Sequence, residues 1–565
     1  MRKDVGVDGD AQRIGQLVWM LFLKIFDDRE QEWELLEEDY ESPVPEELRW
    51  RNWAANSEGM TGAELKDFID NTLFPELQEL RGRDGDARAF VIKNVFADAY
   101  NYMKSGQLLR QVLNKIEAAV DFNQSKGRHA FGDMYEQILR DLQNAGNAGE
   151  FYTPRPVTEF MVNRVDPQLT DKVMDPACGT GGFLTCAIEH KRKNYVQTSD
   201  DEQALQNTIF GVEKKPLPHL LATTNMILHG IDVPSNIRHD NTLRRTLKDW
   251  GPKDRVDVIV ANPPFGGQEE DGIEINFPAA LQTRETADLF MTLFIHLLKD
   301  GGRAAVVLPD GFLFGEGIKS RLKEKLLTEC NLHTIVRLPN GVFNPYTGIK
   351  TNLLFFTKGK PTENIWYYEH PYPAGVKSYS KTRPMKVEEF QPEIAWWGRE
   401  ADGFASREHN KQAWKVDFKT IRENALSKAQ PHWDQAEQYN NQANKQRTLL
   451  KQLKVNHKAS EDRTAKDNIA TKMAQCSTKV DDLKAKADQE KRAGDAIYWP
   501  IFNLDIKNPH VGDLVSHDPN TLLQNYSQQQ KEIGAIRNQL KAILNTALNR
   551  VDAKVEAPVA ACEEA

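Results

Sequence analysis

Val256-Asp257-Val258-Ile259-Val260-Ala261-Asn262-Pro263-Pro264-Phe265 is the stretch on which the reading of the chain turns. Its first six residues form an apolar run of strand length. Pro-Pro then removes two backbone donors and fixes φ at both positions, so the run must stop in a rigid turn. The reading is a buried strand whose end aims an amide, a carbonyl and an aromatic ring at one point. A purely structural turn can use Pro-Pro, but it needs neither Asn before nor Phe after.

Outward from this stretch, short apolar runs recur at 172–174, 209–212, 304–308, 334–338 and 353–357. Segments with helical patterning lie between them, among them 183–190, 220–229 and 289–298. This alternation predicts an α/β domain with a mostly parallel sheet. Ligands of such sheets sit at the carboxyl ends of the strands. Asp175 and Asn262 both fall at such ends, so they are expected to face one cleft.

Asp175-Pro176-Ala177-Cys178-Gly179-Thr180-Gly181-Gly182-Phe183 follows the first of these strands. Gly179, Gly181 and Gly182 let the backbone turn tightly and approach a ligand closely. The spacing is GxGG, not GxGxxG, and a Gly-rich turn alone fits a dinucleotide site equally well. Asp175 can accept hydrogen bonds from a ligand. Glu213, at the end of the next strand, suits ribose hydroxyls, and Asp240 suits an adenine amine. A surface Glu and a turn-forming Asp are the ordinary alternatives for these two.

Asn262, Pro263 and Phe265 suit a planar exocyclic amine such as N6 of adenine. That nitrogen is a poor nucleophile because its lone pair is delocalised into the ring. The Asn262 side-chain oxygen and the Pro263 carbonyl can accept both amine hydrogens and draw the nitrogen toward a tetrahedral form. Phe265 can stack on an extruded base and offset part of the cost of unstacking. Attack on a sulfonium methyl then needs chiefly positioning and electrostatics.

Bulk properties narrow the class. The chain has 565 residues, 40% hydrophobic and 27% charged, which predicts several globular domains. The apolar stretch Leu17 to Phe26 is too short to span a bilayer and reads as a buried helix. The five cysteines show no CxxC pair, which argues against zinc and disulfides and for a reducing cytoplasm. The net charge of −9 lacks the basic excess of a protein that grips DNA unaided. Lys319 to Lys360 is locally basic, with eight Lys/Arg against two Glu, and also reads as an ordinary solvated surface. A DNA substrate would therefore require a partner to supply much of the grip.

Residues 10 to about 125 read as helical, with Ile14, Leu17, Val18, Leu21, Phe22 and Ile25 on one face. Residues 430–492 are polar, lack a sustained heptad and still favour helix, in the manner of a hairpin arm. Residues 504–509 break that segment. A second amphipathic stripe follows, with Ile533, Ile536, Leu540, Ile543, Leu544 and Leu548, suited to a partner or to folding back. These boundaries divide the chain into a helical domain at 1–125, a catalytic domain at 126–425, an arm and docking helix at 426–550, and a disordered tail at 551–565.

Asp175 to Phe183 resembles the first S-adenosylmethionine motif of amino-methyltransferases, and Asn262 to Phe265 resembles their catalytic tetrapeptide. Gly149-Glu150-Phe151-Tyr152-Thr153-Pro154 resembles the segment covering the methionine end of that cofactor. The motif order is that of the gamma group of DNA amino-methyltransferases. Asn225-Met226, Gly341-Val342-Phe343 and Asn503 to Pro509 look like the modification subunits of type I restriction-modification systems. The resemblance implies a class I, Rossmann-like methyltransferase sheet with a helical N-terminal domain and a helical C-terminal tail. It implies S-adenosylmethionine as cofactor, held by Phe151, Tyr152, Thr153, Pro154, Asp175, Ala177, Gly179, Gly181, Gly182, Phe183, Glu213 and Asp240. It implies N6-adenine methylation of DNA; the cysteine spacing gives no reason to expect a metal. Two copies would assemble with one DNA-reading specificity subunit, joined by a motor-nuclease restriction subunit for cleavage. The residues themselves leave cytosine N4, an RNA base, a protein glutamine and a non-catalytic assembly role open. Carbon-5 methylation is disfavoured, because no Pro-Cys dipeptide supplies its nucleophile.

Overall fold

A computed structural model describes residues 1–80, 86–119, 135, 153–344, 347–380, 382–510 and 519–555. Phe151 and Tyr152 lie outside the described residues, as do Gly149 and Glu150.

Nine strands form one sheet: β1 (Val173–Asp175), β2 (Ile209–Glu213), β3 (Ile237–His239), β4 (Val256–Ala261), β5 (Leu298–Pro309), β6 (Cys330–Arg337), β7 (Thr351–Lys358), β8 (Asn364–Glu369) and β9 (Ala413–Asp417). Their order is β3-β2-β1-β4-β5-β7-β6-β8-β9. β3, β2, β1, β4 and β5 run parallel, and β7 inserts antiparallel between β5 and β6. β6 and β8 are parallel, with β9 antiparallel at the edge. The expected runs at 209–212 and 256–261 match β2 and β4 closely, and β5 and β6 extend well beyond theirs. β3, β8 and β9 have no counterpart among the expected runs.

β4 shows why a strand apolar at almost every position belongs at the centre. Val258 and Val260 are fully buried on one face, in a core built with the helices Arg155–Val165 and Gly182–Asn194. Ile259 and Ala261 are fully buried on the other, against Leu289, Leu293 and Phe294 of the helix Thr286–Leu297. Two covered faces need two apolar sets, which is the signature of a parallel sheet between helical layers. From β1 the chain moves outward to β2 and β3, then returns to β4 on the other side of β1. The strand order therefore reverses between β1 and β4, the position where open α/β sheets bind ligands.

The N-terminal segment is helical as expected. The helix Gly9–Leu36 buries Val18, Trp19, Leu21, Phe22 and Ile25. Its core is shared with Leu220, Leu221 and Ile227 of the helix Pro216–Leu228, so the N-terminal layer packs directly on a helix of the sheet domain.

The arm is a helical hairpin, Phe418–Ala459 and Arg463–Tyr498. It starts at the end of β9, where Asp417 caps the first helix by accepting from the Thr420 N–H at 3.0 Å. Phe418, Ala425, Ala429 and Tyr498 belong to the sheet-domain core, so the expected boundary at 425 falls inside the first helix. The expected break follows the hairpin and forms a strap. Leu504 N–H donates to Leu313 O at 2.9 Å, Tyr367 Oη donates to Leu504 O at 3.1 Å, and Arg337 pairs with Asp505 at 2.6 Å.

The chain divides into two compact units, residues 1–508 and 509–565. The second holds one helix, Pro519–Val555, on which Ile533, Ile536, Leu540, Ile543 and Leu544 are exposed. Residues 551–555, expected to be disordered, continue this helix, and 556–565 lie outside the described residues.

Candidate active site

The register brings the two sequence motifs together. Val173 pairs with Val258 and Met174 with Ile259, so Asp175 and Asn262 leave the same edge of adjacent parallel strands. Asp175 is also level with Gly211 of β2, which puts Glu213 just beyond it on the other side.

The Gly-rich turn is held from several directions. Asp175 Oδ1 accepts from the Ala177 N–H at 3.1 Å. Glu213 reaches across from β2: Oε2 accepts from the Gly179 N–H at 3.0 Å, and Oε1 accepts from the Lys215 N–H at 2.8 Å. Thr242 Oγ1 donates to Pro176 O at 2.7 Å, and Asn225 Nδ2 donates to Thr180 O at 3.1 Å. Gly179 has φ +54° and Gly181 φ +82°, a region costly for side-chain-bearing residues. At Gly181 an added Cβ would meet Met226 Cε at 3.0 Å, whereas at Gly179 it would meet nothing within 4 Å among the described residues. The backbone at Gly179 thus borders open space that a ligand can approach closely. Gly182 starts the helix Gly182–Asn194, whose Phe183 is buried in the core.

Two acids stand over this turn. Asp175 is only 1% exposed, and burial pushes its carboxyl up to about 8, with the nearby Glu213 charge acting in the same sense. Burial likewise pushes the Cys178 thiol well up, and its side chain belongs to the core. Asp240 is exposed at the end of β3, where its N–H donates to Glu213 O at 3.0 Å and its own Oδ1 accepts from the Asn241 N–H at 2.8 Å. Beyond the tetrapeptide the chain crosses back toward β2. Glu269 and Glu270 pair with Lys214 at 3.3 and 3.0 Å, and Asn241 Nδ2 donates to Glu269 at 3.1 Å.

Asn262 is 8% exposed, and its Nδ2 donates to Thr153 Oγ1 at 2.8 Å. Its Oδ1 is buried without a hydrogen-bond partner among the described residues. A buried carboxamide oxygen left unpaired is costly, and at the mouth of a cleft it is placed to accept from a water or a ligand. Pro263 is buried and Pro264 exposed. Phe265 is buried edge-to-face against Phe343, with ring centroids 6.4 Å apart.

The structure therefore brings Asp175, Ala177, Gly179, Gly181, Gly182, Phe183, Glu213, Asp240, Asn262, Pro263 and Phe265 to one edge of the sheet, with Thr153 and Pro154 beside Asn262. Three features lie outside the sequence expectation. Thr153 holds the Asn262 amide, Asn225 and Thr242 pin the turn, and Glu213 accepts from one backbone donor at each oxygen. A side chain reaching across two strands leaves no spacing signal, which hid the first two.

The family described as N-6 DNA Methylase matches residues 126–442, and that described as HsdM N-terminal domain matches residues 1–116. The chain is 57% identical over 549 residues to the type I restriction enzyme EcoEI methylase subunit of Escherichia coli, covering 97% of this chain and 96% of that protein. It is 30% identical to the EcoKI methylase subunit of E. coli K12, over 72% of this chain and 75% of that one. A crystal structure of a modification subunit from Vibrio vulnificus YJ016 matches with TM-score 0.67 and 46% identity, over 74% of this chain and 90% of that one. A structure describing assembly and conformational transition of the type I restriction-modification system matches with TM-score 0.69 and 31% identity, over 96% of each chain. With the two motifs at one strand-order reversal and this likeness along its length, the chain belongs to the N-6 DNA methylases that form the methylase subunits of type I restriction enzymes.

Proposed function

We propose that this cleft methylates N6 of an adenine extruded from duplex DNA, with the chain acting as modification subunit beside a specificity subunit and a second copy of itself, and with a motor-nuclease subunit added for cleavage. The observation that carries the reading is the Asn262 carboxamide, anchored through Nδ2 on Thr153 with Oδ1 buried and unpaired. An acceptor held ready in this way suits an amine hydrogen. The Pro263 carbonyl would take the second hydrogen, leaving the nitrogen lone pair exposed. Phe265 would hold the flipped base.

S-adenosylmethionine, when bound, supplies an electrophilic sulfonium methyl. The residues fit it: open space at Gly179 suits close backbone approach, and acids at three neighbouring strand ends suit a cationic, hydroxyl-bearing ligand. Glu213 would hold the ribose, Asp240 the adenine amine and Asp175 the methionine end, with Phe151, Tyr152, Thr153 and Pro154 as cover. No general base is required before transfer, because the methylated amine sheds its proton readily. A net charge of −9 is consistent with DNA grip supplied largely by the specificity subunit. Such a complex works on cytoplasmic DNA. Among the described residues no helix is long and apolar enough to cross a membrane.

The test is transfer of labelled methyl from S-adenosylmethionine to plasmid DNA, with the specificity subunit present or absent. Transfer to N6 of adenine that depends on that subunit is expected. Transfer to RNA or protein with none to DNA would refute the reading.

Thr153 provides a finer test. Thr153→Val keeps the shape and removes the oxygen that accepts from Asn262. A lost buried hydrogen bond of about 1.5 kcal/mol corresponds to about a tenfold lower single-turnover rate. Thr153→Ser should restore most of it. Equal loss in both variants would show that the hydroxyl does not set the amide.

A further inference from the structure

The hairpin arm carries a charge asymmetry that its folding does not need. At its base it is part of the body: Phe418, Ala425 and Ala429 are buried in the sheet-domain core, and Gly494 lets Trp433 pack so closely that an added Cβ would meet Nε1 at 2.6 Å. From Ala436 outward the buried arm residues are those between the two helices, Ala436 and Ala443 facing Cys476, Val480, Leu483 and Ala487. The free part of the first helix runs from Ala436 to Ala459. At 1.5 Å per residue it projects about 35 Å from the body.

Charge is balanced near the base and not at the tip. Residues 418–444 hold three Lys/Arg and three Asp/Glu, and residues 477–498 hold five of each. Between them, residues 445–476 hold eight Lys/Arg against three Asp/Glu. Lys445, Arg447, Lys451, Lys454, Lys458 and Arg463 are all exposed. Among the described residues the arm's Lys/Arg–carboxylate pair lies at its base, Lys419 with Glu363 at 3.3 Å, where His432 Nδ1 also meets Glu490 at 2.7 Å. A stable hairpin would be better served by opposite charges along the tip, because like charges one turn apart repel. The excess is exposed and has no ion-pair partner among the described residues. The protein as a whole is acidic, at −9, so this is a local concentration and not a general bias.

We propose that the distal half of the arm, residues 445–476, binds the phosphate backbone of duplex DNA flanking the methylation target, independently of sequence. The inference rests on the proposed DNA substrate. Lysine and arginine on an exposed helical rod suit phosphates without base readout. A projection of about 35 Å matches about ten base pairs at 3.4 Å per step, enough for the arm to reach duplex beyond the target site.

The experiment uses the complete complex with the specificity subunit and compares wild type with Lys451→Glu/Lys454→Glu/Lys458→Glu/Arg463→Glu. Affinity is measured against salt on two duplexes, one ending at the target and one extended on both sides. On the extended duplex the variant should bind at least tenfold more weakly, with a log–log salt slope shallower by about two to four. On the short duplex both proteins should bind alike, and transfer at saturating DNA should be unchanged. Equal affinity and slope on the extended duplex overturn the proposal. Equal weakening on both duplexes overturns the flanking location, and loss of subunit assembly shows that the tip docks protein instead. If the Glu variant is poorly helical by circular dichroism, the corresponding Gln variant is scored on the same criteria. Wild-type transfer to the short duplex tests the underlying activity by itself, so the two readings fail separately.

Discussion

Asn262→Ala should leave S-adenosylmethionine binding nearly intact and lower single-turnover methyl transfer by about 100- to 1000-fold, the range for loss of one preorganised polar contact to a reacting group. The argument is local. Asn262 is the first residue past a strand buried at every position but Asp257, and the two prolines after it fix the turn, so its carboxamide has little freedom. Thr153 takes up one Nδ2 hydrogen at 2.8 Å. With Nδ2 so engaged, the unpaired Oδ1 is the atom left to the cleft. Removing the side chain removes both the acceptor and the partner of Thr153, while the Gly-rich turn keeps its own supports from Glu213, Thr242 and Asn225. Donor binding measured by calorimetry should therefore change little. Loss of donor binding comparable to the loss of rate would contradict this separation. Asn262→Asp is the instructive intermediate. It retains an oxygen but makes Thr153 turn its hydroxyl into a donor, and it adds charge to a buried position, so transfer should fall between wild type and Asn262→Ala.

The parts of this site that were legible in the sequence are those whose chemistry is written in consecutive residues. Asn262 to Phe265 and Asp175 to Phe183 are rigid turns after short apolar strands, and the backbone at both behaves as the residue types require. β2 and β4 were legible because buried parallel strands are apolar at most positions. β3 is three residues long and half-buried, too short to show a period. β8 and β9 lie toward the edge among tryptophans and tyrosines, where aromatic residues read as readily as helix or loop. The arm had the opposite difficulty. Its seam on the first helix is Ala429, Ala436 and Ala443, a seven-residue repeat of a residue too small to register as an apolar stripe, so the composition suggested a helical hairpin without showing the seam along which its two helices pair. The strap at 503–508 shows a third kind of limit. Its sequence says only that a helix ends, and its contacts to Leu313, Tyr367 and Arg337 exist only once the sheet is assembled.

Asp175→Asn should weaken S-adenosylmethionine binding by about tenfold or more while making the ligand-free protein more stable. Both effects come from one carboxyl group. It is fully buried beside Glu213, and its ionisation is pushed from 3.8 up to about 8. Folding therefore favours the protonated acid. The sign follows directly: the wild type has its full stability relative to the variant below 3.8 and loses it progressively as pH rises toward 8. Thermal unfolding of the ligand-free proteins should show no gap near pH 4 and a widening advantage for Asp175→Asn through pH 7 to 8. A ligand bearing a positive charge and hydrogen-bond donors reverses the preference, because it favours the carboxylate. Binding near neutral pH must then release a proton. Wild-type affinity should rise by up to about tenfold per pH unit below 8 and level off above it, and the variant should show a flat profile. Calorimetry in buffers of different ionisation enthalpy counts that proton directly. A wild-type profile as flat as the variant's would mean that Asp175 does not face the bound donor. The cofactor site would then rest on Glu213 and the glycine turn alone.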